Sequence, residues 1–583
     1  MSGTDLASVA EDYARKLSLS SASVGPPAAS AAATMSGVVS SQAGATCDLA
    51  NISVCDPMLA LSHNQGVTVV VFNPLGVYRT ELVEIPVPIP GVSAVDLKSK
   101  QPIQSEVHCA VFHGDVATVG RRQNWTVFVR IDNLGPLEAR AIRIMAAPGR
   151  SPVPSIPLTT GGAVAMGDAV TVNTTSGGIV SARGLNISST LRFYTPNMAD
   201  NRSHSWGGKN PCSSAYAFRP LPGDAVQYPT GSTKVTLSNG TLVRQTVARI
   251  SIGPGAGGNH IIQVNRLLQG DPAVHIITQL GPLDVSNGIG QETILRFGTG
   301  LRSNATWETD ANGLRMMRRQ RRARNTSTYN VTEPVAQNYF PVTSSATLQD
   351  DVAGRGLSLA FDAAHGVSSL ADGDLEVMLH RRLVDNGCRT DEGYEMDDRH
   401  SVIQRVRLQA GPVALLPTFY RPDAQKMLHP IQLYWPGAAG HAVSPGDGGP
   451  HTTNHAGVPP VGSLPANVHL FTLRRIPERG ADLLCDPFEL AACTNSVSAP
   501  AGSGGRTKGT LLLRLQHLFD VGEGAALAEP VSVDIARFLA PRWLLARLDE
   551  TTLTAGRVIA ADAASPVIEL RPLQIRTFLV STK

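Results

Sequence analysis

The feature that most constrains this chain is a repeated pattern of short apolar, β-branched runs, each closed within a few residues by Pro, Gly or Asn. The run at 67–72 ends in Asn73-Pro74-Leu75-Gly76, and the run at 81–87 ends at Pro88. Similar runs recur at 124–131, 248–252, 260–267, 274–280, 375–380, 468–473, 511–518 and 575–580. Runs of this length suit strands and fall short of the about ten to twelve residues that mark a helix. The β texture starts at 67 and continues to the C-terminus. No helix–strand alternation separates the runs, which argues against a parallel sheet, an α/β barrel or a nucleotide-binding fold. The expected class is mainly β: several packed antiparallel β-sandwich domains preceded by a short helical remnant. Ser238-Asn239-Gly240 and Asp310-Ala311-Asn312-Gly313 supply Asn-Gly pairs, which accept the positive φ that tight hairpins require.

The helical remnant is read from Leu6, Val9, Ala10, Tyr13 and Leu17, which share one helical face, with Thr4 placed as N-cap. One helix cannot bury that stripe alone, and the Ser/Ala-rich stretch 18–44 that follows reads as linker. Further breaks fall at the Pro-rich strap 148–157, the Gly/Pro/His-rich stretch 437–465 and the Gly/Ser stretch 499–508. Four segments result: 1–60, a remnant of a helix-bundle linker; 61–150, a small β-sandwich; 151–436, a large central β-sandwich; and 437–583, a linker with a C-terminal β domain. A chain of 583 residues is long enough for roughly three to four domains.

A net charge of +3 with 17% charged residues lacks the basic excess that a phosphate backbone demands, so nucleic acid is not an expected partner. No run of about 18 apolar residues suggests a membrane span. Nine asparagines sit in N-x-Ser/Thr sequons: Asn51, Asn124, Asn173, Asn186, Asn201, Asn239, Asn304, Asn325 and Asn330. That density reads as a glycosylated, secretory-pathway chain. The first twenty residues carry no apolar signal core, so the expectation is a longer parent protein with a preceding portion. Among seven cysteines, Cys47 and Cys55 lie eight apart, as do Cys485 and Cys493. Two short-loop disulfides and unpaired buried thiols both fit that spacing.

Several motifs suggest chemistry and have plainer readings. The glycine run 253–258 lacks the Lys-Ser/Thr of a phosphate cradle and reads as a turn. His441, His451 and His455 fall in a Gly/Pro loop, where no helix aligns them on a metal. The basic run 315–324, flanked by sequons, reads as a solvated surface. Asp391, Glu392, Glu395, Asp397 and Asp398 could include the carboxyl pair of a glycosidase, or form a charged loop. No nucleophile elbow or His-Glu-x-x-His helix is present.

A set of ordered segments narrows the reading further. They are Ser2-Gly3-Thr4 with Val9 to Tyr13, the 47–55 cysteine loop around Asn51-Ile52-Ser53, and Val69 to Gly76 (VVVFNPLG). Ser214 to Pro220 (SAYAFRP), Asp284 with Gly288-Ile289-Gly290-Gln291-Glu292 and Arg296-Phe297, and Thr309 to Gly313 follow. Thr332 to Pro341 (TEPVAQNYFP), Ser368-Ser369-Leu370 with Asp372-Gly373, and His380-Arg381-Arg382-Leu383 come next, then Leu515-Gln516-His517, Glu550 to Leu553 and Ile575 to Phe578. Together they resemble the C-terminal, β-rich portion of glycoside hydrolase family 38 α-mannosidases of the lysosomal type. The sequence departs from that pattern at Ala363-Ala364-His365-Gly366 and at Asp385 to Arg389, where Cys388 intrudes.

The resemblance implies a Cys47–Cys55 disulfide, and rim positions for Tyr216 and for Arg381 or Arg382 beside an α-mannoside. It places the chemistry in an N-terminal barrel, covalent or on a separate chain, where a zinc ion and two acids carry out a retaining hydrolysis. This chain then holds no catalytic residue and binds no cofactor. It is expected to be inactive alone, within a parent of the lysosome or another secretory or vacuolar lumen whose partners are α-mannoside glycans. The alternative is a free-standing carbohydrate-binding sandwich. An independent hydrolase using the acids near 391–398 is the third reading.

Overall fold

The computed structural model describes residues 46–112, 122–197, 213–215, 217–252, 260–285, 288, 290–322, 333–383, 396–436, 460–476, 509–561 and 565–583. The stripe at 6–17, the glycine run 253–258 and the three loop histidines lie outside them. The runs named from the sequence overlap strands, among them Val67–Phe72, His260–Leu268, Val274–Leu280, Asp374–Arg382 and Ile575–Thr582. Every strand pair among the described residues is antiparallel, and the class is mainly β as expected.

A small sandwich comes first. Its five-stranded sheet runs in the order Gln432–Tyr434, Val67–Phe72, Ala139–Ala146, Val92–Asp96, Pro102–Ile103, and a three-stranded sheet of Arg79–Val87, Trp125–Leu134 and Ser105–Cys109 packs on it. Val69, Val71, Ile85, Val87, Val127, Val129, Ile142 and Ile144 alternate along their strands into one core, as period-2 patterning requires. The implied Cys47–Cys55 disulfide is formed, and Cys55 and Met58 cap that core.

The large sandwich faces a nine-stranded sheet against a ten-stranded one. The first has Asp374–Arg382, Gln291–Thr299 and Leu185–Tyr194 side by side at its centre, and the second has Arg355–Phe361, Val402–Pro412, Val274–Leu280 and His260–Leu268. Leu191, Leu295, Phe297 and Val377 from one sheet meet Ile276, Leu357, Leu359 and Leu408 from the other in the main core. The C-terminal region adds a five-stranded sheet and the pair Val531–Asp534 with Val567–Leu570, around a third core.

The structure corrects two details and adds a third. A helix, Leu416–Leu428, interrupts the β texture that the sequence was expected to keep to its end. Pro417 sits in the first turn, where no N–H is needed, and Pro422 lies inside the helix and masks it in sequence. Its buried face includes Asp423, which accepts from Arg407 and Gln409, so no clean apolar stripe announces it. Asn312 and Gly313 do take positive φ in the 306–320 hairpin. Gly240 has no positive φ; it is required because a Cβ there would come 1.9 Å from Glu106 Oε1. The basic run is a strand, Arg315–Gln320, on the edge of the ten-stranded sheet, where exposed arginines discourage edge-to-edge pairing.

Glu106 joins the two sandwiches. One carboxylate oxygen accepts from the Thr241 amide and hydroxyl and the Leu242 amide, and the other from the Val243 amide and His108. These bonds hold its carboxyl well below the usual range, at about 2, although burial pulls the other way. A carboxyl with a depressed folded pKa stabilises above its ordinary value and loses that contribution as pH falls. Glu106→Ala should lower the unfolding free energy by about 3 kcal/mol in denaturant titration at pH 7. The difference from the unsubstituted chain should shrink as pH drops from 4.5 towards 2.

Candidate functional site

The strand Gln291–Thr299 shows why charge gathers in one place. Leu295 and Phe297 face the main core, so the even residues Glu292, Ile294 and Arg296 face the other side of the sheet. Neither charged residue reaches solvent freely: Glu292 is 0% exposed and Arg296 8%. Burial of this kind is tolerated only with partners, and the neighbouring strands supply them. Tyr194 pairs with Glu292 from one side and Arg381 from the other, while Arg296 pairs with Glu376.

A β-bulge makes the row possible. Leu375, Val377 and Leu379 all lie in the core, and simple alternation would send Arg381 inward after them. The register instead shifts between Thr293 and Ile294, which pair with His380 and Met378, leaving Leu379 as the extra residue. The parity flips, and Arg381 lands opposite Glu292. Bulges re-aim side chains in this way.

Two polar assemblies follow. In one, Glu376 Oε1 accepts from the hydroxyls of Tyr194 at 2.8 Å and Tyr339 at 2.7 Å, while Oε2 accepts from Arg296 Nε at 2.8 Å. Arg296 also meets Asp224 at 2.7 Å. Burial and the adjacent Glu376 raise both phenols well above their ordinary values, so they remain donors. In the other, Arg381 binds Glu292 Oε1 through Nε at 3.0 Å and Nη2 at 2.7 Å. Nη2 also donates to the carbonyls of Ser214 at 3.1 Å and Ala217 at 3.0 Å. Burial outweighs the pull of Arg381 and pushes the Glu292 carboxyl up to about 7.

Phe218 packs against both assemblies. Phe218 lies edge-on to Tyr194 and Tyr339, with ring centroids 5.8 and 4.9 Å away, and the Arg381 guanidinium stands 5.7 Å from its centre. The segment that carries Phe218 is stitched to the end of Leu185–Tyr194. Ser213 Oγ donates to the Arg219 carbonyl and accepts from its amide, and Leu221 N donates to Thr195 O.

Of the expected rim residues, the structure brings Arg381 to this site. Arg382 points to a different set of partners: it pairs with Asp397 at 2.7 Å and donates to the Leu283 carbonyl. Tyr216 lies outside the described residues, as do Cys485, Cys493, Asp391, Glu392, Glu395, Asn201, Asn325 and Asn330. The described acids of the 391–398 cluster are committed, Asp397 to Arg382 and Arg399, and Asp398 to His400. Asn51, Asn124, Asn186, Asn239 and Asn304 are exposed, whereas Asn173 is half-buried and accepts the amides of Thr175 and Ser176. Sequence reasoning quoted Glu292 and Arg296 without giving them a role, and left Glu376 unnamed. Their signal was a charge of each sign, four residues apart, on one face of an otherwise apolar strand.

Among the described residues, no group of three or more His, Cys, Asp or Glu converges as a metal would need. The donor set for the zinc implied by the resemblance is therefore not assigned to these residues.

Residues 182–392, which hold nearly all of this site, match the profile of the glycosyl hydrolases family 38 C-terminal domain. The chain carries a family 38 C-terminal region. Over 431 residues it is 30% identical to human lysosomal alpha-mannosidase, covering 68% of this chain and 37% of that protein. Over 457 residues it is 27% identical to lysosomal alpha-mannosidase of Dictyostelium discoideum, covering 74% of this chain and 44% of that protein. A solved alpha-mannosidase from Enterococcus faecalis shares the fold, with 12% identity, a TM-score of 0.50, and coverage of 90% of this chain and 57% of that one. The chain thus spans less than half the length of both lysosomal relatives.

The family 38 region makes a pH prediction through Glu292. A carboxyl whose folded pKa is raised stabilises the fold below its unfolded pKa, and that contribution is lost as pH rises to the folded value. Relative to Glu292→Gln, the unsubstituted chain should therefore lose about 3 kcal/mol of stability between pH 4.5 and pH 7. Denaturant titrations of both proteins across that range check it.

Proposed function

We propose that this chain is the non-catalytic β portion of a retaining α-mannosidase that removes terminal α-mannose from glycoprotein glycans. Arg381 and the 213–219 segment, which includes Tyr216, form part of the rim of its substrate pocket. The observation that carries this reading is the placement of Arg381 within the family 38 match: two of its nitrogens are fixed by Glu292 and by two loop carbonyls. A planar guanidinium held in this way offers its remaining edge to sugar hydroxyls, and a phenol such as Tyr216 supplies stacking and a hydrogen bond.

The acids of a retaining hydrolysis, with carboxyl groups about 5 Å apart, belong on this reading to a barrel in the same polypeptide or on a second chain. Zinc, when bound there, holds and orients the sugar hydroxyls. The residues of this chain would orient the sugar and narrow the entrance.

The exposed sequons support a secretory route to a lysosomal or vacuolar lumen. Expression through a secretory host should give a chain that loses mass on enzymatic removal of N-glycans, with occupancy at Asn51, Asn124, Asn186, Asn239 and Asn304 read by peptide mass spectrometry.

A second reading, a free-standing carbohydrate-binding sandwich, draws on the same arginine and needs no barrel. Calorimetric binding of α-mannosides that Tyr216→Ala abolishes, without any catalytic partner present, would favour it. For the main reading, the pure chain should release no chromophore from an aryl α-mannoside, with or without added zinc. Sustained turnover by the pure chain would overturn it.

A further inference from the structure

We infer that Glu292 is a positioning residue: through Arg381 it fixes the carbonyls of Ser214 and Ala217 at the two ends of a turn, and so sets how the rim meets an α-mannoside. The ligand in this statement rests on the proposed rim function, whereas the positioning of the turn stands on geometry alone.

Glu292 is an expensive way to fill a strand interior. It is fully buried, and while Oε1 takes both bonds from Arg381, Oε2 has no hydrogen-bond partner. A buried ion pair with an unsatisfied oxygen contributes little net stability compared with an apolar side chain of similar size. What it does provide is orientation. One oxygen held by Nε and Nη2 together restrains the guanidinium at two nitrogens, a constraint that a single N–H bond would leave loose.

That guanidinium points at one turn. Ser214 N donates to Ala217 O at 2.9 Å, and Ala217 N returns to Ser214 O at 3.3 Å. The same two carbonyls receive Nη2 of Arg381. The turn thus closes on itself and is pinned from beneath by one guanidinium nitrogen. The residues after it have anchors beyond the Arg381 guanidinium, which stands 5.7 Å from the Phe218 ring: Phe218 rests on Tyr194 and Tyr339, and Arg219 on Ser213 and Glu333. Nη1 of Arg381 makes no hydrogen bond among the described residues, and on the proposed rim function it is the nitrogen that a ligand would meet.

These separate anchors make the inference local, and therefore testable on the full 583-residue chain. Glu292→Gln keeps the side-chain volume and removes the charge. Hydrogen exchange at the amides of 214 and 217 should accelerate by roughly ten- to a hundredfold, the loss expected for hydrogen bonds to a charged group. Peptides covering 218–221 and the strand 291–299 should stay within twofold of the parent. Arg381→Met should reproduce the same local pattern.

Protection at 214 and 217, corrected for intrinsic rates, should also weaken in the unsubstituted chain as pH falls through neutrality, and show no such step in Glu292→Gln. Protection unchanged in both variants would overturn the inference. So would a loosening spread evenly over 213–221 and the sheet, which marks a merely structural role.

A parallel NMR titration uses methyl α-mannopyranoside as the probe. About tenfold weaker binding in Glu292→Gln supports the link to the rim, and unchanged affinity with a loosened turn overturns that link. If the parent chain binds no mannoside while the turn still loosens on substitution, positioning is upheld and the free-standing carbohydrate-binding reading fails.

Discussion

The constraint on which the site depends is that the central sheet of the large sandwich carries ionised side chains on the face opposite its core. Leu295 and Phe297 commit one side of Gln291–Thr299 to the main core, which forces Glu292 and Arg296 to the other. Because neither is left in water, every neighbour must compensate. Tyr194 and Tyr339 hold their protons and donate to Glu376, Arg296 binds the same carboxylate, and the bulge at Leu379 turns Arg381 towards Glu292. The segment that covers this face is apolar where it touches rings and offers backbone carbonyls where it touches the guanidinium. Site and segment therefore form one solution to a burial problem.

The strands were legible because their burial repeats with period two and their ends are marked by proline, glycine and asparagine. Val67–Phe72 and Val274–Leu280 have the bounds that the sequence suggests. The helix Leu416–Leu428 was not legible, because its inner face pairs Asp423 with Arg407 and Gln409 instead of presenting a stripe. Arg381 was reached by resemblance alone. Alternation from Leu375 predicts the wrong face for it, and only a pairing register reveals the bulge. Glu376 escaped because a lone acid between Leu375 and Val377 gives no sign of the two phenols that will meet it from sequence positions 182 and 37 residues away.

The sandwiches are joined by a few polar clasps. Glu106 receives the hairpin at 241–243, and Arg79 meets the His429 carbonyl while pairing with Glu81. Arg421 forms a bidentate pair with Glu523 and donates to the Leu314 carbonyl. Charge-assisted bonds of this kind add direction where apolar contact would allow sliding. The proposed rim, built on such a scaffold, would inherit its precision from the sheets, since a site on strands is held more tightly than one on loops alone.

Fold likeness by itself would say little about function, since one sandwich architecture hosts many activities. The functional argument lies in the cost of particular residues. Replacing Glu292 and Arg381 by apolar side chains would leave a face that packs without an unsatisfied oxygen and without guanidinium desolvation. The present arrangement gives up that stability and gains a restrained guanidinium, two carbonyls fixed in position and one nitrogen, Nη1, with no hydrogen bond among the described residues. On the proposed rim function, those three properties serve a ligand that docks against the turn. On that proposal the buried ion pair, more than the Phe218 ring packed above it, is the feature that would separate a recognition surface from a well-packed sheet.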